Sequence, residues 1–135
     1  MGKNYVDIED DQGGVLRYRK HANGRGLVAH GAKVAATARV EAGAYIEPRA
    51  RVLDGARIAA GAWVEPGAVV GPGAIIDAGA HIGPDAAVGP KAKIGVRSSI
   101  GKGAQIAGGS LIGDDENIRD GEKVATDRRG FRLAA

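Results

Sequence analysis

The sequence contains no cysteine and few aromatic residues. Its 135 residues include one Phe, one Trp and three Tyr. Without cysteine the chain has neither a disulfide framework nor a thiolate nucleophile. With so few large side chains, its apolar residues must build a thin core of Ala, Val and Ile rather than a thick globule. The length fits a single domain of this kind.

Long apolar runs and a strong excess of charge are also missing. No stretch is long enough for a signal peptide or a membrane span, so we expect a cytoplasmic protein without a membrane partner. The net charge of +3 is weak support for binding a polyanion, which argues against a nucleic-acid partner. The three His residues do not lie near each other, which predicts no metal site.

One repeat dominates what is present. Every sixth residue from Val28 to Val124 is Val or Ile, and as far as Ile112 the residue two places earlier is small, most often Ala. Gly and Pro recur two or three places after the aliphatic residue. A period of six fits neither a helix nor a long strand, but it fits a short strand followed by a corner. In such a strand the aliphatic residue and the small one share a face, so both point inward.

This pattern resembles the hexapeptide-repeat, transferase-like family of bacteria and phages. The resemblance covers residues 26–124. It implies an all-β fold, a left-handed parallel β-helix of about five to six triangular coils with three hexads per coil. Residues 1–25 are predicted to form an N-terminal capping hairpin, with strands at Tyr5–Ile8 and Val15–Arg19. Residues 125–135 are predicted to form a short C-terminal tail.

The outward residues sort into three faces, because residues eighteen apart stack on one another. The first face carries the most distinctive chemistry, an aromatic column flanked by carboxylates: Tyr45, Glu47, Trp63, Glu65 and His81. Aromatic planes stack on apolar ligand surfaces while carboxylates accept hydrogen bonds, so this face is predicted to bind a carbohydrate or protein partner. The alternative is a stack of neighbours that stabilise one another, or a subunit contact.

The second face is small and apolar at its middle, which favours packing against another subunit. Family members are usually trimers, and the resemblance therefore implies a homo-oligomer, with a trimer favoured. The predicted interface residues are Arg51, Leu53, Val69, Ala87 and Gln105. An ordinary mixed surface remains the alternative. On the third face opposite charges alternate, which is typical of a solvated, locally paired surface.

Two functional hypotheses follow. The first is a non-catalytic, homo-oligomeric β-solenoid, a structural scaffold or binding module without a cofactor, because no loop interrupts the repeats to wall a cleft. The second, which the resemblance implies, is a minimal hexapeptide-family acyltransferase that uses acyl-coenzyme A at a subunit boundary. Such an enzyme needs a His as general base. His81 is the candidate, since His21 lies in the cap and His30 at a corner.

Overall fold

The computed structural model describes residues 5–9 and 13–125, and all regular structure in them is β-strand. Strands β1 (Tyr5–Glu9) and β2 (Val15–Lys20) pair antiparallel, with Asp7 opposite Arg17. The predicted hairpin is therefore present, although its residues 10–12 lie outside the described part of the chain. No helix that could span a membrane occurs in the described residues.

Each hexad contributes one short strand, and strands from every third hexad pair in parallel. The first face continues from β2 through β3 (Leu27–Ala29), β6 (Tyr45–Ile46), β9 (Trp63–Val64), β12 (His81–Ile82), β15 (Ser99–Ile100) and β18 (Asn117–Ile118). The second face comprises β4 (Lys33–Val34), β7 (Arg51–Val52), β10 (Val69–Val70), β13 (Ala87–Val88), β16 (Gln105–Ile106) and β19 (Lys123–Val124). The third comprises β5 (Arg39–Val40), β8 (Arg57–Ile58), β11 (Ile75–Ile76), β14 (Lys93–Ile94) and β17 (Leu111–Ile112).

The interior is the predicted ladder of small and branched residues. Ala62, Val64, Ala80 and Ile82 are all fully buried, and the same holds for their equivalents through most of the stack. Backbone hydrogen bonds join successive coils, as in the 2.9 Å bond from Trp63 N to Ala80 O. Apolar burial and this ladder of bonds together hold the coils at a fixed spacing. The predicted all-β solenoid with three hexads per coil is confirmed.

The corners require a left-handed backbone conformation. Glycine satisfies this requirement at most of them, for example at Gly55 with φ of 72°. Non-glycine residues adopt the same conformation at the equivalent position of other hexads: Arg49, Asp85, Lys91, Arg97 and Asp115. Because a Cβ disfavours positive φ, the stack itself imposes the corner geometry at these positions.

The N-terminal segment covers the exposed edges of two of the three sheets. Strand β2 pairs antiparallel with β3, so the hairpin extends the first sheet. The segment after β2 covers the edge of the third sheet: Asn23 O accepts a 3.0 Å bond from Val40 N, and buried His21 contacts Ala38 O through Nε2 at 2.9 Å. These contacts place β2 and the segment after it on the first coil, while the bounds of the predicted cap stay a prediction. The predicted tail, apart from Ala125, lies outside the described residues.

Candidate functional site: a histidine beside an aromatic column

Strand pairing brings the predicted first-face residues into one column. Tyr45 of β6 lies directly beside Trp63 of β9, and Trp63 lies beside His81 of β12. Each is the outward residue of its two-residue strand, because the inward partner is the buried Val or Ile. Trp63 and Tyr45 remain 44% and 36% exposed. The sequence correctly placed all three side chains on one surface.

Glu47 holds two aromatic residues of this surface. Its Oε2 accepts a 2.6 Å hydrogen bond from Trp63 Nε1, and its Oε1 accepts a 2.5 Å bond from the Tyr18 hydroxyl. The Tyr18 ring meets the Tyr45 ring edge to face, with centroids 5.7 Å apart. The aromatic column is therefore held in place by a carboxylate that two neutral donors contact at once.

His81 is held by a second carboxylate and by the indole. Its Nε2 bonds to Glu65 Oε2, and its ring stacks on Trp63 with centroids 4.9 Å apart and 25° between planes. An ionised carboxylate can only accept, so Nε2 carries a hydrogen, and in the neutral imidazole the lone pair is then on Nδ1. No described residue hydrogen-bonds to Nδ1. The side chain stays 35% exposed, so solvent and ligands can reach it.

An open depression begins where the outward side chains become small. In the ladder of His81 the next residue is Ser99, and in the ladder of Glu65 the next two are Gly83 and Gly101. The depression has a volume of about 560 Å³ and is lined by Glu65, His81, Gly83, Pro84, Ser99, Ile100, Gly101, Lys102, Asn117, Ile118, Arg119 and Asp120. Its lining offers an imidazole, two carboxylates, two cationic side chains and neutral polar groups.

Tyr18 is a member of this site that the sequence analysis missed. Strand register places it opposite Ala29, whose small side chain leaves room for the phenol to reach Glu47 in the next coil. Tyr18 is only 4% exposed. Burial first, then the hydrogen bond to Glu47 and the charge of that carboxylate, raise the pKa of the Tyr18 hydroxyl above its ordinary value. The hexapeptide spacing cannot predict the register of an antiparallel cap strand.

The polar wall of the depression was also missed, although part of its signal is in the repeat. Ser99 and Asn117 follow His81 at intervals of eighteen and occupy its ladder. Lys102, Arg119 and Asp120 come from corners, where the six-residue pattern is least informative. Lys102 N donates a 2.9 Å bond to Asp120 Oδ1, which joins the two coils at this corner.

The predicted interface residues lie together on the second face. Val69 pairs with Arg51 on one side and Ala87 on the other, and Gln105 follows Ala87. A groove of about 450 Å³ runs over this face at Ala87, Val88, Gly89, Gln105, Ile106, Ala107, Gly108, Lys123, Val124 and Ala125. The spacing correctly predicted that these residues share one face. Their role in subunit contact stays a prediction.

A metal centre finds no support in the described side chains. Among them, no group of three or more His, Asp or Glu is arranged to hold a metal ion.

Comparison with known proteins gives a consistent set of structural neighbours. One is a mutant perosamine N-acetyltransferase from Caulobacter crescentus in complex with CoA and GDP-perosamine, 26% identical with a TM-score of 0.72 over 73% of this chain and 47% of that one. A second is UDP-N-acetylglucosamine acyltransferase from Francisella novicida, 20% identical with a TM-score of 0.71 over 74% of this chain and 44% of that one. The chain thus spans less than half the length of either protein.

A third neighbour matches over more of its own length. It is a hexapeptide transferase family protein from Anaplasma phagocytophilum, 20% identical with a TM-score of 0.50 over 71% of this chain and 70% of that one. No protein-family model and no curated protein sequence matches the chain. The left hand and the triangular coils are consistent with these neighbours. The predicted resemblance is confirmed: the chain is a β-solenoid with the repeat and the fold of the hexapeptide acyltransferases.

Proposed function

We propose that this protein is an acyltransferase that moves an acyl group from acyl-coenzyme A to an amine or hydroxyl of a small acceptor. One observation carries the proposal. His81 is hydrogen-bonded to Glu65 at the edge of an open polar depression, on the wall of a fold whose neighbours are acyltransferases. The neighbours favour this function over the scaffold that the uninterrupted repeats suggested.

In the proposed mechanism His81 is the general base. Glu65 accepts from Nε2, so Nδ1 is the nitrogen that takes a proton from the attacking amine or hydroxyl. The Glu65 carboxylate fixes this tautomer and stabilises the imidazolium that forms. Proton transfer of this kind typically contributes a factor of about 10² to 10⁴ in rate.

We propose that the depression binds part of an acyl-coenzyme A. Bound acyl-coenzyme A would supply an activated thioester carbonyl. Lys102 and Arg119 line the depression and offer positive charge to phosphate groups, while Ser99 and Asn117 offer neutral hydrogen-bonding groups. We propose that these four residues contact the donor, and that His81 contacts the acceptor.

We also propose that the second face packs against other copies in a homotrimer, and that a neighbouring subunit closes the open side of the depression. The small, apolar ladder through Val69 and Ala87 supports such packing. Sedimentation at two protein concentrations tests this directly. A stable trimer supports a composite site, whereas a monomer at both concentrations contradicts it.

The decisive experiment pairs two histidine substitutions. We expect His81→Ala to lower the rate of acetyl transfer from acetyl-coenzyme A to an amine or sugar acceptor at least a hundredfold. His30→Ala removes an exposed imidazole from a distant corner and should leave the rate unchanged. Calorimetric titration with coenzyme A up to millimolar concentration measures donor binding separately. Equal rates in both variants, or no coenzyme A binding, would falsify the proposal.

A binding module is the second candidate, and the exposed aromatic column favours it. Trp63 and Tyr45 present ring surface in an orientation fixed by hydrogen bonds and ring contacts, as sugar- and cation-binding surfaces require. Trp63 is the single tryptophan, so its fluorescence reports this surface without ambiguity. Trp63 fluorescence changes with a saccharide panel in His81→Ala, lost when Tyr45→Ala is added, would support binding without catalysis.

A further inference from the structure

We infer that Tyr18 and Glu47 are positioning residues for His81, and that they act through the indole of Trp63. The inference rests on the proposed role of His81 as general base. It assigns a function to the N-terminal cap, because Tyr18 belongs to β2 and lies outside the repeats. The contacts that connect Tyr18 to His81 form a continuous series of two hydrogen bonds and one ring stack.

The first step is the fixed position of the Glu47 carboxylate. One oxygen accepts from Tyr18 at 2.5 Å and the other from Trp63 at 2.6 Å. Because both oxygens accept hydrogen bonds, the carboxylate cannot rotate without breaking one of them. Hydrogen bonds to a charged acceptor are among the stronger ones in proteins. Burial of Tyr18 excludes water that could replace the phenol.

The second step is the orientation of the indole. Trp63 projects outward from a two-residue strand and is partly exposed, so packing alone does not fix its ring. The hydrogen bond from Trp63 Nε1 to Glu47 selects one combination of the Trp63 side-chain torsion angles. That orientation places the indole against the imidazole, with 25° between the two planes.

The third step concerns the two constraints on the imidazole. The bond from Nε2 to Glu65 fixes the direction of that nitrogen but leaves the ring free to turn about the axis of the bond. Stacking on Trp63 removes this remaining rotation and so fixes the direction of Nδ1. Because proton transfer depends steeply on geometry, loss of the stack should lower turnover even when the base itself is intact.

The test uses variants that remove single contacts and one matched control. Tyr18→Phe removes only the hydroxyl, and Glu47→Gln replaces the carboxylate by an amide that cannot accept from both donors as strongly. Glu41→Gln is the control, since Glu41 has the same position of a hexad on the third face and contacts Arg39 rather than an aromatic ring. The readouts are the NMR signals of the Trp63 indole N–H and of the His81 ring, at one fixed pH.

We expect both signals to shift in Tyr18→Phe and in Glu47→Gln and to stay in place in Glu41→Gln. Acetyl transfer should fall on the order of tenfold in kcat with KM preserved in the first two variants. Unchanged His81 signals in both would overturn the inference, whatever the kinetics. If the wild-type protein transfers no acyl group, the proposed function fails, while the NMR comparison still decides whether the cap orients His81.

Discussion

The two halves of the first face have the same backbone structure but differ in the size of their outward side chains. In the N-terminal half, large outward residues form a ridge in which Glu47 bonds to Trp63 and Glu65 bonds to His81. In the C-terminal half, Ser99 and Gly101 occupy the same two ladders, and the surface becomes a depression. His81 lies at the boundary, so a rigidly held imidazole faces open space.

This contrast shows which positions of the hexad carry stability and which carry chemistry. The inward residues are nearly constant along the stack, since each must fill the same triangular interior. The outward residue and the residue after the aliphatic position contact only neighbouring coils or solvent. Neither points into the core, so a site is built by varying their size wherever the adjacent coil leaves room.

The largest effect is expected from a substitution in the buried interior, which both halves share. Ile76→Asp places an unpaired carboxylate in a fully buried position of β11 and should cost at least about 4 kcal/mol of unfolding free energy. Ile75→Asp changes the adjacent, outward residue of the same strand and should cost far less. Urea unfolding followed by circular dichroism measures both; similar midpoints would contradict the inward and outward assignment.

A smaller loss of stability is expected from adding a side chain at Gly83, which follows Glu65 in the same ladder. A Cβ at Gly83 would lie 2.6 Å from Ile100 O, so Gly83→Ala should cost about 2 kcal/mol and partly fill the depression. Gly113 occupies the same place in its hexad, and there a Cβ would meet only Glu116 Cγ at 3.8 Å. Thermal unfolding should therefore show no loss for Gly113→Ala. An equal loss of stability in both variants would mean that the conformational freedom of glycine, and not the close approach of a Cβ to Ile100 O, explains the effect.

The bond between the cap and the ridge gives a third prediction, with a defined pH range. Tyr18→Phe should cost about 1–2 kcal/mol near neutral pH by removing a hydrogen bond to a carboxylate. The pKa of Tyr18 is raised in the folded protein, so this contribution is complete below the ordinary tyrosine pKa of about 10 and is lost as pH rises further. The stability difference between wild type and Tyr18→Phe, measured by denaturation, should be constant from neutral pH to about pH 10 and shrink above it.

The smallest effect concerns corners that lack glycine. Arg49 has φ of 67°, so Arg49→Gly should relieve strain and stabilise the fold by about 0.5–1 kcal/mol. Arg97 occupies the equivalent corner at 59°, but its guanidinium bonds to Asp115 at 2.9 Å. Arg97→Gly should therefore gain less. A larger gain at Arg97 than at Arg49, measured by thermal unfolding, would contradict the contribution assigned to this ion pair.

Much of the site was predictable because the repeat fixes register. Spacing by eighteen placed Tyr45, Trp63 and His81 on neighbouring strands, and it placed the interface residues together on the second face. Tyr18 was not predictable, because an antiparallel strand outside the repeat has no periodic register. The corner residues of the depression were missed for a related reason: they depend on how closely successive turns approach.

The sequence by itself determined the solenoid, its three faces and the inward ladder, since a six-residue period admits one way to bury Ala, Val and Ile together. Only the tertiary structure decided which outward groups touch. Glu47 binds Trp63 and Tyr18, and Glu65 binds His81, because side-chain torsions and the fold of the cap select these partners among several neighbours within reach. Contacts of this kind depend on ångström distances that no spacing in the sequence specifies.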